Sequence, residues 1–272
     1  MKRQLQILLK RSGVYYRIRT STLHDLYWAM AGSQSLQARR TEIGFYKKLL
    51  DGFQKGHLIF DIGANQGIKT DVFLRLGAKV VSVEPNEHSR KILAGKFLDY
   101  RLIKKPVTLV GKAVGESRGT DVMWIDEPGS AVNTFSNKWV ETLRKDPNRI
   151  GTPVGFARQE RIEMVTLDDL IAEHGIPFFI KIDVEGYEIN VLRGLGCRVP
   201  FLSFEANLPE FRTEGLECLK RLECIACGGK FNYAADLLSG FALTRWLPFR
   251  DFVDAFNQYG GPSIEVFWRS GC

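Results

Sequence analysis

Short apolar runs recur along this chain, and most of them stop at an acid or a glycine. Residues 58–62, 79–84, 161–165, 178–183 and 201–205 are rich in Val, Ile, Leu and Phe, and they are too short for helices, so they are expected as strands. Between them, apolar positions three and four apart predict helices over about 68–76, 86–97, 166–174 and 188–195, and one more strand is expected within 106–114. Leu76-Gly77 reads as a helix stop and Pro85-Asn86 as a strand-to-helix entry. Thr166 reads as an N-cap, with Asp168 and Asp169 in the first turn of its helix. Strands that are apolar throughout, alternating with amphipathic helices, predict an α/β fold whose mainly parallel sheet is covered by helices on both faces.

Three regions depart from this rhythm. Residues 1–50 read as an ancillary helical arm, with 41–50 expected as a helix laid against the sheet edge. Residues 51–272 then form one domain, interrupted at 115–160 by Gly, Pro and Asn clusters around a short candidate strand at 121–125. So long an insertion in a compact domain is expected to serve as a lid or substrate-binding segment. Late strands at 231–234 and 264–268 lack a clear crossover and are expected as an antiparallel edge pair, with a loop and short helix over 246–259 between them.

Composition narrows the class. A chain of 272 residues, 44% hydrophobic and 25% charged, suits one large soluble domain. Six of the seven net positive charges sit on Lys2, Arg3, Lys10, Arg11, Arg17 and Arg19, so the remainder is near neutral and lacks the spread positive face of a nucleic-acid enzyme. No apolar run approaches the ~20 residues needed to span a bilayer. Leu5, Leu8 and Leu9 could form an apolar helix face for contact with a membrane surface. The five cysteines are odd in number and clustered late, and the single Cys224-x-x-Cys227 has no second ligand pair for zinc. Reduced thiols and a cytoplasmic location are expected. Oligomeric state is not legible.

The chemistry concentrates where the apolar runs end. Phe60-Asp61-Ile62-Gly63-Ala64-Asn65-Gln66-Gly67 reads as a strand breaking into a glycine turn that opens a helix, where nucleotide-like ligands bind. The glycines let the backbone approach a ligand closely. Asp61 at the strand's end would repel a pyrophosphate and welcome a cationic amino-acid ligand, which favours S-adenosylmethionine over a dinucleotide. Glu84 ends the next strand, about 20 residues on, and suits a ribose diol. Asp61 and Glu84 are therefore expected to line one hollow. Ala113, among the small residues of Gly111-Lys112-Ala113-Val114-Gly115, could floor an adenine. A third cluster, Ile180-Lys181-Ile182-Asp183-Val184-Glu185-Gly186-Tyr187-Glu188, sets Lys181 and Asp183 on one face by the two-residue period. Glu205, ending another strand, and Asn207 beyond it face the same cleft.

From Leu58 to Asn207 the sequence resembles the FkbM family of S-adenosylmethionine-dependent methyltransferases. The resemblance is carried by the Asp61–Gly67 turn, Val83-Glu84-Pro85, Ala113-Val114-Gly115, Thr166-Leu167-Asp168, the 180–188 run and Phe204-Glu205. It implies a Rossmann-like, seven-stranded class I methyltransferase sheet with an antiparallel last strand. It also implies methyl transfer from S-adenosylmethionine, usually to a hydroxyl on a sugar or natural-product scaffold. Asp61, Gly63, Ala64, Asn65 and Gly67 would then line the methionine end, Glu84 would hold the ribose, and Ala113 would lie near the adenine. Asp183, Glu185 and Lys181 would sit where cofactor and acceptor meet, and Glu205 and Asn207 would face the acceptor.

An alcohol needs its proton drawn off as it attacks, which makes Asp183 the expected base, Glu185 the orienting group and Lys181 the substitute if burial alters its protonation. Asp183, Glu205 and Asn207 are oxygen ligands of the Mg²⁺ type, but no spacing enforces a site and no metal is expected. Alternatives are an RNA methyltransferase, drawing on the basic arm, a cofactor-binding module without turnover, and a dinucleotide oxidoreductase. Asn207-Leu208-Pro209-Glu210 resembles the Asn-x-Pro-aromatic motif of base methyltransferases but ends in Glu, which leaves a flipped base without a stacking partner.

Overall fold

A computed structural model of the protein describes residues 34–98, 106–127 and 129–271, so the basic arm at 1–19 lies outside the described residues. Helix α1 (Gln34–Leu49) is followed by β1 (Leu58–Ile62), α2 (Ile68–Leu76), β2 (Lys79–Val83), α3 (Glu87–Lys96) and β3 (Val107–Val110). The next segment holds β4 (Ala113–Val114), β5 (Gly119–Ile125), α4 (Asn137–Lys145) and β6 (Arg158–Val165). Alternation resumes with α5 (Leu167–His174), β7 (Phe179–Ile182), α6 (Glu188–Arg193), β8 (Phe201–Asn207), α7 (Arg212–Ile225) and β9 (Lys230–Ala234). The chain closes with β10 (Leu247–Pro248), α8 (Phe249–Gln258) and β11 (Ser263–Arg269).

The expected helix signals operate as read. Gly77 caps α2 in the left-handed region, with its N–H donating to the carbonyls of Leu74 and Phe73. The Asn86 side chain accepts from the Ser89 N–H at the start of α3. Thr166 and Asp169 form a reciprocal capping box at α5.

The main sheet has the order β3-β2-β1-β7-β8-β11-β9-β10. Its five strands from β3 to β8 run parallel, and β11 is antiparallel to both of its neighbours. This is the expected sheet with a two-residue strand, β10, added beside β9. The late strands β9 and β11 pair antiparallel toward this end of the sheet, as expected, with β11 inserted between β8 and β9. Val266, Phe267 and Trp268 are fully buried, and a strand apolar on both faces is stable only where neighbours and helices cover it. Helix α7, which the pattern reading leaves unassigned, supplies the crossover from β8 to β9. It buries Cys218, Leu219 and Leu222 on one side.

Helices α1 to α3 cover one face of the sheet and α5 to α8 the other. Helix α1 is expected at the sheet edge but lies over the face. The Tyr46 ring packs 5.0 Å from that of Phe73 and 5.7 Å from that of Phe179, on a central strand. Phe45, Tyr46 and Leu49 place the last turns of α1 in the core. The 113–165 segment builds a second, three-stranded sheet of order β4-β6-β5. No helix among the described residues is long and apolar enough to cross a membrane.

Candidate active site

The two faces of the main sheet differ in chemistry. Under α5 to α8 the strands stay apolar, with Phe60, Ile62, Val81, Val83, Ile180, Ile182, Leu202 and Phe204 in the core. Under α1 and α2 each strand starts apolar and turns polar toward its carboxyl end. Ile59 leads to Asp61, Val80 to Ser82, Phe179 to Lys181, and Phe201 to Ser203 and Glu205. Register aligns Ser82, Asp61, Lys181 and Ser203 in one row across four strands. The row is fully sequestered and largely self-satisfied. Thr70 Oγ1 donates to Asp61 Oδ2 at 2.5 Å and lies 2.6 Å from Ser82 Oγ. One step nearer the rim come Glu84, Gly63, Asp183 and Glu205, with Glu265 of β11 opposite Glu205.

The turn after β1 is shaped by steric need. Gly63 has φ 83°, and a Cβ there would run into the carbonyl oxygen of Asp183. The glycine therefore lets the ends of β1 and β7 close on each other, besides leaving room for a ligand. Asn65, also in the left-handed region with φ 46°, turns its N–H to Glu84 Oε2 at 2.8 Å. The Asn86 N–H donates to Oε1 at 2.7 Å. Burial pushes the Glu84 carboxyl up to about 7, against the pull of these two N–H groups. Each oxygen retains acceptor capacity for a further donor.

The loop after β7 is pinned from within. Glu188 Oε1 accepts from the N–H groups of Val184 and Gly186, at 3.2 and 3.1 Å. Glu185, with φ 56°, faces the insertion. Its carboxylate accepts from the Trp139 indole N–H at 3.1 Å, and its carbonyl from Thr134 Oγ1 at 2.7 Å. Tyr187 adds a hydroxyl donated to Asp121 of β5 at 3.0 Å. These ties hold the insertion over the sheet rim.

Two hollows open at this rim. A cleft of about 50 Å³ is lined by Gly63, Asn65, Glu84, Asp183 and Glu185, with Met123 and Phe135 among the residues of the insertion that wall it. A second cavity of about 200 Å³ is lined by Lys69, Lys181, Asp183, Glu205, Asp236 and Glu265 among others. Asp183 belongs to both.

The charges here are strongly coupled. Burial opposes ionisation of Asp183, but the Lys181 ammonium 2.6 Å away outweighs it and holds the carboxyl below its usual range. Burial likewise disfavours the Lys181 charge, yet Asp183, Glu265 and Asp61 together raise its pKa. Glu185 is pushed up to about 8 by burial, then by Asp183 and Glu188. Glu205 is driven well above its ordinary value by burial and by Asp183 and Glu185. Oxygens of Asp183, Glu185 and Glu205 lie within 4.8 Å of one another, a spacing at which the three could hold a divalent ion.

The sequence profile of the Methyltransferase FkbM domain matches residues 61–231, which include the cleft, the insertion and α7. The chain belongs to the FkbM methyltransferase family. Among solved structures it is similar to the methyltransferase FkbM from Methylobacillus flagellatus KT, with 16% identity and a TM-score of 0.48. That likeness covers 96% of this chain and 59% of the other, so the chain spans less than two thirds of that relative. It is also similar to the precorrin-6y C5,15-methyltransferase from Geobacter metallireducens GS-15, at 10% identity and a TM-score of 0.44, covering 87% and 88% of the two chains. A SAM-dependent methyltransferase from Agrobacterium tumefaciens gives 10% identity and a TM-score of 0.42 over 86% of this chain and 62% of that one. No curated protein sequence matches the chain.

Within this FkbM frame the expected site residues divide. Gly63, Asn65, Glu84, Asp183 and Glu185 line the cleft together. Asp61 does not reach it. It sits one row deeper, 1% exposed and bonded to Thr70, because the strand's pleat points it under α2. The pair of acids facing one hollow is thus Glu84 with Asp183, not Glu84 with Asp61. Ala64 is buried in the turn, and Gly67 starts α2, where a Cβ would meet Leu93 and Phe97. Ala113 lies buried in the second sheet, paired with Met164, and does not line the cleft. Lys181 cannot stand in as a base, since the acids around it keep it an ammonium. Glu205 lines the second cavity, and Asn207 is buried on the same strand face.

Glu265, Lys69 and Trp139 were not foreseen. The alternation Ser263-Ile264-Glu265-Val266 carried the signal for Glu265: a polar position every second residue in an otherwise apolar strand.

Proposed function

We propose that this FkbM protein transfers the methyl group of S-adenosylmethionine to a hydroxyl of a small acceptor, a sugar or natural-product-like scaffold. The observation that carries this reading is that Asp183 lines both hollows, so a donor in the cleft and an acceptor in the cavity would meet at its carboxylate. The donor set fits an adenosyl sulfonium. Glu84 presents both oxygens to a diol, Gly63 and Asn65 give close backbone approach, and the acids at the rim suit a cationic methionine end.

S-adenosylmethionine supplies an electrophilic methyl: an acceptor oxygen lone pair forms the new O–C bond as the C–S bond breaks with its electron pair going to sulfur. The chain's residues hold the acceptor and take its proton. Alignment of the acceptor in a near-attack pose supplies about 7–11 kcal/mol of barrier reduction. Asp183, kept ionised by Lys181, receives the hydroxyl proton, and Glu205, kept protonated by its neighbours, is the donor that orients it. Glu185 fixes the insertion over the cleft through Trp139.

The test is transfer of a labelled methyl group from S-adenosylmethionine across a panel of hydroxylated acceptors. Asp183→Asn is expected to lower kcat by about 10²–10⁴-fold while S-adenosylhomocysteine still binds. Transfer that survives Asp183→Asn, or methylation at nitrogen or carbon only, would count against this reading.

A further inference from the structure

Glu84 is steered from outside the cleft it lines. Its carboxylate oxygens are fixed by the N–H groups of Asn65 and Asn86, and its own N–H donates to the Val110 carbonyl at the end of β3. The next peptides, where β2 leaves the sheet and turns into α3, are held by Arg90 in the first turn of that helix. Arg90 Nη1 reaches back to donate to the carbonyl oxygens of Pro85 and, at 3.3 Å, Glu84. The same helical turn holds Asn65, whose Oδ1 accepts from Ser89 Oγ at 3.3 Å.

Arg90 is half-buried, and among the described residues it forms no ion pair, so its hydrogen bonds go to two main-chain carbonyls. A cation drawn partly out of water is costly unless its hydrogen bonds and its field are used. The field acts on Glu84. Burial raises that carboxyl to about 7, the N–H groups of Asn86 and Asn65 pull it down, Arg90 pulls the same way, and Asp61, one row deeper, pushes it up. Across the cleft the acids that share its lining are Asp183 and Glu185.

The chain leaves room for this guanidinium. Gly111 directly follows β3, and a Cβ there would come within 2.9 Å of Arg90 Nε and 3.0 Å of Cζ. Its backbone lies outside the left-handed region, so Gly111 provides space and not a special conformation. We propose that Arg90 is a positioning residue for the cofactor's ribose: admitted by Gly111, it clamps the Glu84–Pro85 turn and aims the Glu84 carboxylate at the diol. This rests on the S-adenosylmethionine reading of the cleft and adds the group that presents its ribose ligand. Arg90 does not line the cleft, so it acts through Glu84.

The experiment is calorimetric titration of the full chain with S-adenosylhomocysteine, repeated from about pH 6 to about pH 9 so that Glu84 passes through its titration. Arg90→Gln is expected to weaken binding about tenfold at neutral pH and to move the rise of affinity to higher pH, because Glu84 loses the cation that favours its charged form. Arg90→Lys keeps the charge and should restore the position of that rise. Gly111→Ala crowds the guanidinium without removing it and should weaken binding by a smaller factor. In a Glu84→Gln chain, Arg90→Gln should have no pH-dependent effect. Wild-type affinity in Arg90→Gln overturns the proposal, and so does a loss of equal size at every pH, which a merely structural role predicts. Should Arg90→Gln fail to fold, Gly111→Ala decides: weakened binding supports the clamp and unchanged binding overturns it. A wild-type chain that binds no S-adenosylhomocysteine sinks the cofactor reading itself, and the first titration reports that separately.

Discussion

Lys181 Nζ lies 2.6 Å from Oδ2 of Asp183, two residues along one strand face, with the lysine only 3% exposed. The pair sets the protonation of the whole rim. Lys181→Met removes the cation and leaves the half-buried Asp183 without its partner, at a cost of about 1–3 kcal/mol. The melting temperature should drop accordingly. In the surviving folded fraction the acid limb of the pH–rate profile should move to higher pH, because Asp183 then ionises later. A purely structural role for Lys181 would lower the melting temperature and leave that limb in place.

Trp139 fastens the insertion to the rim by donating to Glu185. Its ring also packs edge-on to Phe211, with centroids 5.7 Å apart. Trp139→Phe keeps the packing and loses the hydrogen bond, worth about 0.5–1.5 kcal/mol. A modest loss of stability with a several-fold rise in cofactor KM is expected from steady-state kinetics. Trp139→Ala, which also empties a buried volume, should cost about 3–5 kcal/mol by denaturant titration.

Gly63 and Gly52 share left-handed backbone, with φ 83° and 77°, but differ in surroundings. A Cβ at Gly52 meets nothing within 4 Å, whereas one at Gly63 meets the Asp183 carbonyl. Gly52→Ala should therefore cost only the backbone penalty of about 1–2 kcal/mol. Gly63→Ala should cost more and should remove S-adenosylhomocysteine binding, since β1 and β7 must separate.

Stability should fall as pH rises from about 5 to about 8.5, because burial raises several carboxyls here. Glu84 and Glu188 are raised to about 7 and Glu185 to about 8, from ordinary values of 4.5. Over that window the unfolded chain has released these protons while the native state retains them. The native state binds more protons, so unfolding becomes easier with each step up in pH. Asp183 acts oppositely, but its contribution changes only at acid pH, below this window. Melting temperatures at pH values across the range check the sign; a flat or rising curve would contradict the charge assignment.

The order of strands and helices was legible because each central strand is mostly apolar and is followed or closed by Asp, Glu or Gly. The cap residues Thr166, Asn86 and Gly77 were legible for the same local reason. What sequence pattern could not supply was the third dimension. Asp61 looked like a ligand contact from its place at the end of a strand, yet the pleat turns it into the layer under α2. Glu265 belongs to a strand whose position between β8 and β9 depends on long-range pairing, so its approach to Glu205 had no local signature. Helix α7 was obscured because Gly215 and its charges interrupt the apolar spacing. The insertion's docking hangs on single contacts such as Trp139 to Glu185, which no periodicity encodes.

The central claim is that Glu84 and Asp183 frame a seat for an adenosyl sulfonium. Calorimetric titration of the folded chain with S-adenosylhomocysteine tests it most directly. One molecule should bind per chain, and Glu84→Ala should weaken binding at least about tenfold, as expected for the loss of charge-assisted hydrogen bonds to the ribose. Absence of binding to the folded wild-type chain, or tight binding of NAD(H) in its place, would contradict the account.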